Sequence, residues 1–338
     1  MCSALRYAST PLIYLVCRKP VDPCLQCMRA EVYRLFGRVA ATTKGTKVTS
    51  LGLDSTTYVQ AMQALEDSFL GNGTTYNPIN HDQRLLVGLM GDHGPKIRQL
   101  THTTSLAAIS EKPLNAFLAE NRFDIRLDPF RRGDIGAVAI LDMLVEWVNA
   151  GKLDTLWHAG NLYPAFELGS GDVELYEVPG QPEPLVQLLT NSGDSVWLIK
   201  LQQAPRSNFE ASMMAQRIAS AKKLPQHGSC NVVTPNLEVD FRPDTSTLVG
   251  MGVNSPKLGY LTVSQLLQQY KLRMNAHGAR GKVATAAAMS RGGGPSQYKF
   301  NEPFLFYMTE KGHEQFAIMP LFADTDVWKD SGQSLEDL

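Results

Sequence analysis

Few residues in this 338-residue sequence have types and spacing that could do chemistry. Cys24 and Cys27 stand two residues apart, the spacing of half a zinc site. Completing a tetrahedral centre would fall to Cys2 and Cys17, whose spacing is irregular, and Cys230 stands alone. An odd cysteine count crowded at one end does not read as a disulfide framework. Free thiols are the plainer reading, so neither a metal nor a cofactor is assigned. Arg291-Gly292 opens a run of three glycines. A guanidinium there fits the acidic pocket of a trypsin-like serine protease, because a carboxylate accepts it bidentately.

Enzyme signatures are absent. The sequence has no G-x-S-x-G elbow, no H-E-x-x-H pair and no Walker loop. Gly292–Gly294 precedes a proline rather than a Lys-Ser helix start, so it does not cradle phosphate. The seven histidines are scattered singly. His93 follows Asp92 in a glycine-rich stretch that reads as a solvated turn. His158 reads as a satisfied core histidine in a strand, and Trp147 and Trp157 as core. No enzymatic activity is expected.

The elements that must carry the Arg291 region are legible in outline. Apolar content is 43%, charged content 19% and net charge −1, which fits a globular chain and favours neither nucleic acid nor an anionic membrane surface. No apolar run is long enough to span a bilayer. The apolar stretch from Pro11 to Cys17 is short and lacks a basic start and a small-residue cleavage site. Periodicity predicts helices over 28–39, 55–69 and 209–221, the second capped by Asp54 or Ser55 and followed by Gly71. Ile135, Val138, Leu141, Leu144, Val145 and Val148 recur at helical spacing, with Asp134 as a cap. Val232–Phe241 reads as a strand. Tyr270, Leu272 and Met274 alternate with Lys271 and Arg273 in another. Pro303–Met308 and Phe316–Phe322 form a hairpin buried on both faces, with Pro320 suited to a strand end. Helices first and strands later imply an α+β fold. Residues 1–27 are a Cys-rich appendage, 28–325 one domain and 326–338 a tail.

Between the alternating strand and the hairpin lies a stretch from Gly278 to Gln297 with no large apolar residue except Met289. It cannot anchor itself in a core, and loops of this length inside a compact domain are usually functional.

The segments flanking this loop resemble serpins. Lys299-Phe300-Asn301-Glu302-Pro303-Phe304-Leu305-Phe306 is similar to the serpin segment that follows the reactive loop and opens the final hairpin. Thr234-Pro235-Asn236-Leu237, Leu248–Val253 and Leu261-Thr262-Val263-Ser264 match serpin landmarks in order, and from Leu261 to Phe304 the spacing matches without a gap. Val145–Leu153 is similar to the end of the serpin helix that crosses the main sheet. Thr49–Thr56 resembles the shutter segment that lets that sheet open. On this resemblance Ser55, Asn161 and Gln268 are shutter-like positions, Gln268 standing where a histidine is usual. The chain departs from the pattern in a shortened 163–229 region, and no tryptophan is matched after the shutter strand.

The resemblance implies a large central mixed sheet with surrounding helices, and a reactive-loop region at 278–298. It also implies action as a suicide pseudo-substrate. The protease attacks the loop and is held as an acyl-enzyme while the cut loop inserts as a new strand. About ten added backbone hydrogen bonds at ~1 kcal/mol net each would drive that step, from a metastable, kinetically held native state. The hinge would be Gly278, Ala279, Arg280, Gly281, Lys282, Val283 and Ala284. The alternate set from Ala279 to Met289 carries no charge, while Arg280 and Lys282 share the other face. The reactive bond is placed at Arg291-Gly292. The implied partner is a trypsin-like serine protease. The alternative is a non-inhibitory serpin-fold protein that binds an unknown protein ligand or serves a structural role, a reading favoured by the charged hinge and the glycine-filled bait. Secretion is typical of the family, with an intracellular placement as the alternative, and oligomeric state is left open.

Overall fold

The computed structural model describes residues 49–221, 223–226, 230–279, 297–330 and 332. The expected helix at 28–39, the cysteines of the N-terminal segment, and hinge and bait residues 280–292 lie outside them.

The described chain is a mixed α+β fold, as expected. Four helices are α1 (Ser55–Leu65), α2 (His81–Ile97), α3 (Glu111–Glu120) and α4 (Asn208–Ser220). The largest sheet has seven strands in the order β1 (Leu51–Gly52), β20 (Ile318–Ala323), β19 (Phe304–Thr309), β10 (Ser195–Lys200), β9 (Leu185–Leu189), β8 (Val173–Glu177) and β11 (Leu224–Pro225). A four-stranded sheet runs β18 (Gln297–Lys299), β12 (Asn231–Pro235), β7 (Asn161–Leu168), β6 (Lys152–His158). Its β18–β12 pair is parallel, against antiparallel pairing elsewhere. A small sheet joins β15 (Gly259–Thr262), β14 (Gly252–Ser255) and β2 (Thr75–Asn77). Three two-stranded ribbons remain: β3 (Thr103–Ala108) with β4 (Gly136–Leu141), β13 (Leu237–Phe241) with β16 (Tyr270–Met274), and β5 (Val145–Glu146) with β17 (Gly278–Ala279).

The hairpin β19–β20 lies inside the large sheet, and Phe304 through Met308 are all fully buried. Phe304, Phe306 and Met308 face the main core, while Leu305 and Tyr307 face Ala211, Ala215 and Ile218 of α4. Both faces are therefore covered, which is why the run reads as unbroken hydrophobicity. Pro320 sits inside β20, not at its end. Ile318 pairs with Met308 and Leu321 with Phe306, so β20 carries one extra residue there. This bulge accommodates a proline that donates no ladder bond. It also turns Met319 to φ 50°.

Several expectations are corrected. The 134–149 segment is not a helix but β4 and β5. Val138 and Ile140 are the buried residues of β4, a period of two, and β4 pairs with β3 from Thr103↔Leu141 to Ala108↔Gly136. A short apolar run satisfies either period, and strand pairing decided here. Residues 145–153 likewise hold β5 and the start of β6 in place of a helix end. The stretch around His93 belongs to α2, despite Gly91, Gly94 and Pro95. Asn80 caps it through Gln83 N–H, and Gln63 Nε2 donates to Gly94 O at 2.7 Å. Residues 232–241 break at Asn236 into strands of two different sheets. Trp157 is 67% exposed. The helices at 55 and 209 stand where expected.

Phe306→Ala removes a ring with no exposed surface from the centre of this sheet. It should lower the unfolding free energy by about 3–5 kcal/mol, read as a fall in the urea midpoint at unchanged slope. A loss below 1 kcal/mol would contradict the buried placement.

Candidate functional site

The ribbons β3–β4 and β13–β16 leave a cleft. Among the described residues, β4 pairs with β3 alone and β16 with β13 alone. Residues Ile140 to Met143 on one side and Lys271 to Arg273 on the other line one cavity of about 280 Å³. Met319, aimed by the β20 bulge, lines it too. At one end the gap is bridged, Gly278 pairing with Glu146 and Ala279 with Val145. A Cβ at Gly278 would lie 2.3 Å from Val145 O, so the close approach requires glycine. Trp147 follows β5 directly and ties the same end. Its Nε1 donates to Asn275 O at 2.9 Å, and its ring stacks on Phe166 at 6.0 Å. Asn275 Oδ1 accepts from His277 N–H, turning the chain from β16 into β17. The loop thus leaves from the end of the cleft and returns at β18.

Residues 123–131, between α3 and β4, form neither helix nor strand and cross the cleft. Phe123, Ile125 and Leu127, every second residue, line a second cavity of about 130 Å³ in the same gap. Side chains of the β16 arm hold this strap. Gln269 Oε1 accepts from the N–H groups of Asp124 (2.8 Å) and Ile125 (3.3 Å), while Gln269 Nε2 donates to Asp240 Oδ1 at 2.9 Å. Lys271 Nζ donates to Arg122 O at 2.9 Å, and Gln265 Oε1 accepts from Asp128 N–H at 2.9 Å. On the other side Asn115 exchanges two hydrogen bonds with Leu127. The strap's backbone is satisfied by side chains rather than by a strand ladder.

The floor of the gap is the start of α1. Asp54 caps the helix, its Oδ1 accepting from Thr56 N–H at 3.0 Å and Thr56 Oγ1 at 2.7 Å. Gln268 Nε2 donates to Asp54 O and Thr57 Oγ1, and its Oε1 accepts from Asp54 N–H, all within 3.0 Å. Asp54 is 4% exposed. Burial raises its carboxyl to about 6 against the hydrogen bonds from Thr56 and Thr57. Burial, and after it the Asp54 charge, pushes the Tyr58 and Tyr270 hydroxyls well above their usual range.

Of the shutter-like positions, the structure gathers two. Gln268 is bonded to Asp54 and Thr57, and Ser55 stands between them in the chain, accepting from Ser212 Oγ at 3.2 Å. Asn161 is not with them; it is exposed at the β6–β7 turn, paired with His158. Gly278 and Ala279 are both buried at the cleft end. His158 is satisfied by Asn301 O at 2.6 Å. Trp147 is buried, as expected of a core residue, but its bond to Asn275, the roles of Gln269 and Lys271, and the strap escaped the sequence reading. The Trp147 tie was hidden by matching 145–153 to a helix. The Gln269 contact spans 145 positions and leaves no local signal.

No protein-family model matches the chain. No curated protein matches it either. Among solved structures the chain is similar to Serpin48, a highly specific serpin of the insect Tenebrio molitor, at 13% identity and TM-score 0.46, covering 79% of this chain and 95% of that one. Native protease nexin-1, solved with heparin, is 14% identical with TM-score 0.44 over 80% and 97% of the two chains. Mouse protein-Z dependent protease inhibitor is 14% identical with TM-score 0.39 over 64% and 63%.

The raised Asp54 carboxyl makes stability pH-dependent. Its folded pKa of about 6 lies above the unfolded value near 3.9. The folded chain therefore retains a proton that the unfolded chain has lost between those values. The stabilisation is complete below about pH 4 and disappears as pH rises through 6, to a total of roughly 3 kcal/mol. Asp54→Asn should flatten this part of the curve of urea midpoint against pH. A wild-type midpoint that rises with pH in that window, with no difference in the variant, would contradict the burial argument.

Proposed function

We propose that this protein is a serpin-like inhibitor of trypsin-like serine proteases, acting as a suicide pseudo-substrate through residues 278–298. The observation that carries the reading is the cleft. Among the described residues β4 and β16 are each paired with one strand and face a common gap, and Gly278–Ala279, the last described residues before the 280–296 segment, stand at its end. Insertion of the cut loop would add a strand between the two ribbons. Ala279, first of the uncharged alternate set, is 1% exposed, and the reading requires that set to face the core while Arg280 and Lys282 face away from it.

In this mechanism a protease serine attacks the Arg291 carbonyl. The Arg291–Gly292 bond breaks, Gly292 leaves as the new amine, and an ester joins enzyme and loop. Insertion then outruns hydrolysis by carrying the ester away from the geometry that deacylation needs. Burial of either hinge charge unpaired would cost several kcal/mol, so the alternation is a requirement.

One observation favours the second reading, a serpin-fold protein that binds without inhibiting. The strap at Phe123–Leu127 already lines the gap. A loop that inserts must displace it and break the Gln269 and Lys271 contacts. The inhibitory reading therefore requires the strap to be the weaker occupant.

Incubation with trypsin followed by a denaturing gel separates the two. Inhibition predicts a covalent complex of protease and chain, absent in Arg291→Ala. Clean cleavage after Arg291 with no complex would leave only the binding role. The strap has its own test. Gln269→Ala removes the acceptor for two strap N–H groups and should raise the ratio of complex to cleaved chain. A reduced ratio would mean that the strap aids insertion rather than competing with it.

A further inference from the structure

The sequence holds a single Asn-x-Ser/Thr triplet, Asn72-Gly73-Thr74. This is the acceptor pattern for N-linked glycosylation, provided that the middle residue is not proline. The chemistry needs an amide nitrogen, a hydroxyl two residues on and room for a bulky, hydrated product. The same triplet in a helix, a central strand or a core leaves a folded chain no room for the glycan. The surroundings of Asn72 therefore carry the argument as much as its neighbours in sequence do.

The triplet lies in the turn between the helical segment ending at Leu70 and β2, which starts at Thr75. Gly71 and Gly73 flank Asn72 at φ 88° and 90°, values that favour glycine and set the reversal. The base of the turn is held. Gly71 N–H donates to Glu66 O at 2.8 Å, Thr74 Oγ1 to Gly71 O at 2.8 Å, and Ser255 Oγ to Leu70 O at 2.8 Å. Lys257 packs against Gly71, its Cε 2.9 Å from where a Cβ would stand. The tip is open. Asn72 and Gly73 are both exposed, and a Cβ on Gly73 would meet nothing within 4 Å. Among the described residues the Asn72 side chain has no hydrogen-bond partner. A substituent on its Nδ2 therefore breaks no contact of the fold.

We propose that Asn72 is an acceptor site for an N-linked oligosaccharide when the chain passes through the secretory lumen. The donor is a lipid-linked diphosphate oligosaccharide, which the cell supplies together with its transferase. Asn72 Nδ2 bonds to the anomeric carbon of the first sugar. The bond from that carbon to the diphosphate oxygen breaks, the amide gives up one proton, and the lipid diphosphate leaves. Thr74 supplies the hydroxyl by which the triplet is read. Residues 70–77 line neither cavity of the cleft, so the inference does not depend on whether the loop inserts.

The test expresses the full chain behind a secretory leader in a eukaryotic cell and collects it from cells and medium alike. Migration on a denaturing gel is compared before and after an amidase that releases N-linked glycans. The wild type should migrate faster after release, and peptide mapping should find an aspartate where Asn72 stood, the mark the amidase leaves. Asn72→Gln and Thr74→Ala should run at the released position without treatment. Thr74→Ser, which keeps the hydroxyl, should still carry the glycan. Because the Asn72 side chain holds nothing in place, glycosylated wild type and Asn72→Gln should share one urea midpoint. Three results overturn the proposal: a wild type whose migration the amidase leaves unchanged, an Asn72→Gln variant that still shifts, or a midpoint lower with the glycan than without it, which would place Asn72 against the fold rather than in an open turn.

Discussion

Backbone groups on a strand edge need partners, and among the described residues β4 and β16 each have a strand ladder on one side alone. Their ribbons approach at the β5–β17 pair, where Trp147 Nε1 also donates to Asn275 O. Much of the surrounding structure answers that constraint. Trp147 and the Asn275 turn brace the closed end. Met319 is brought into the gap by a bulge. The strap covers the rest, with alternate apolar side chains inward and its backbone held by glutamines and a lysine. A divided sheet of this kind is a conformational reservoir. Any extended segment able to complete both ladders gains hydrogen bonds that neither ribbon can make alone.

The gap has competing occupants because its chemistry is layered. Its edges offer backbone hydrogen bonds, which suit an extended chain whatever its side chains. Its walls are apolar, which suits Phe123, Ile125 and Leu127. Its floor is an acid that the helix cap uses on one oxygen only. The strap draws on this site in two ways, its side chains on the apolar wall and its backbone on the Gln269 side chain. The strap's hold is modest in kind: side chain to backbone bonds within reach of solvent, each worth about 1 kcal/mol.

Legibility from sequence varied with how local the deciding interaction is. The β19–β20 hairpin was readable because a strand covered on both faces must be apolar at every position. The alternation in Tyr270–Met274 was readable because one face of β16 is buried and the other is not. α1 and α4 declared themselves through caps and periodicity. β4 was misread as helix because Ile135, Val138 and Leu141 fit a helical stripe as well as Val138 and Ile140 fit a strand. The tie was broken by β3, about thirty residues upstream. α2 went unseen because its glycines and proline oppose helix locally, and its cap and the Gln63 contact override them.

The residue types alone determined that this sequence carries no G-x-S-x-G, H-E-x-x-H or Walker motif, that a long stretch of small residues lies between two strand-forming segments, and that an Arg-Gly bond falls within it. Those are matters of composition and short spacing. Only the tertiary structure decided that Gly278 and Ala279 stand at the cleft end, that Ser55 and Gln268 belong to one cluster and Asn161 does not, and that a strap lines the gap above the buried Asp54 cap. The reason is range. The cleft is made by strand edges that fail to pair, and by side chains such as Gln269 that reach across 145 positions, and neither an unmade pairing nor a distant hydrogen bond leaves a period in the sequence.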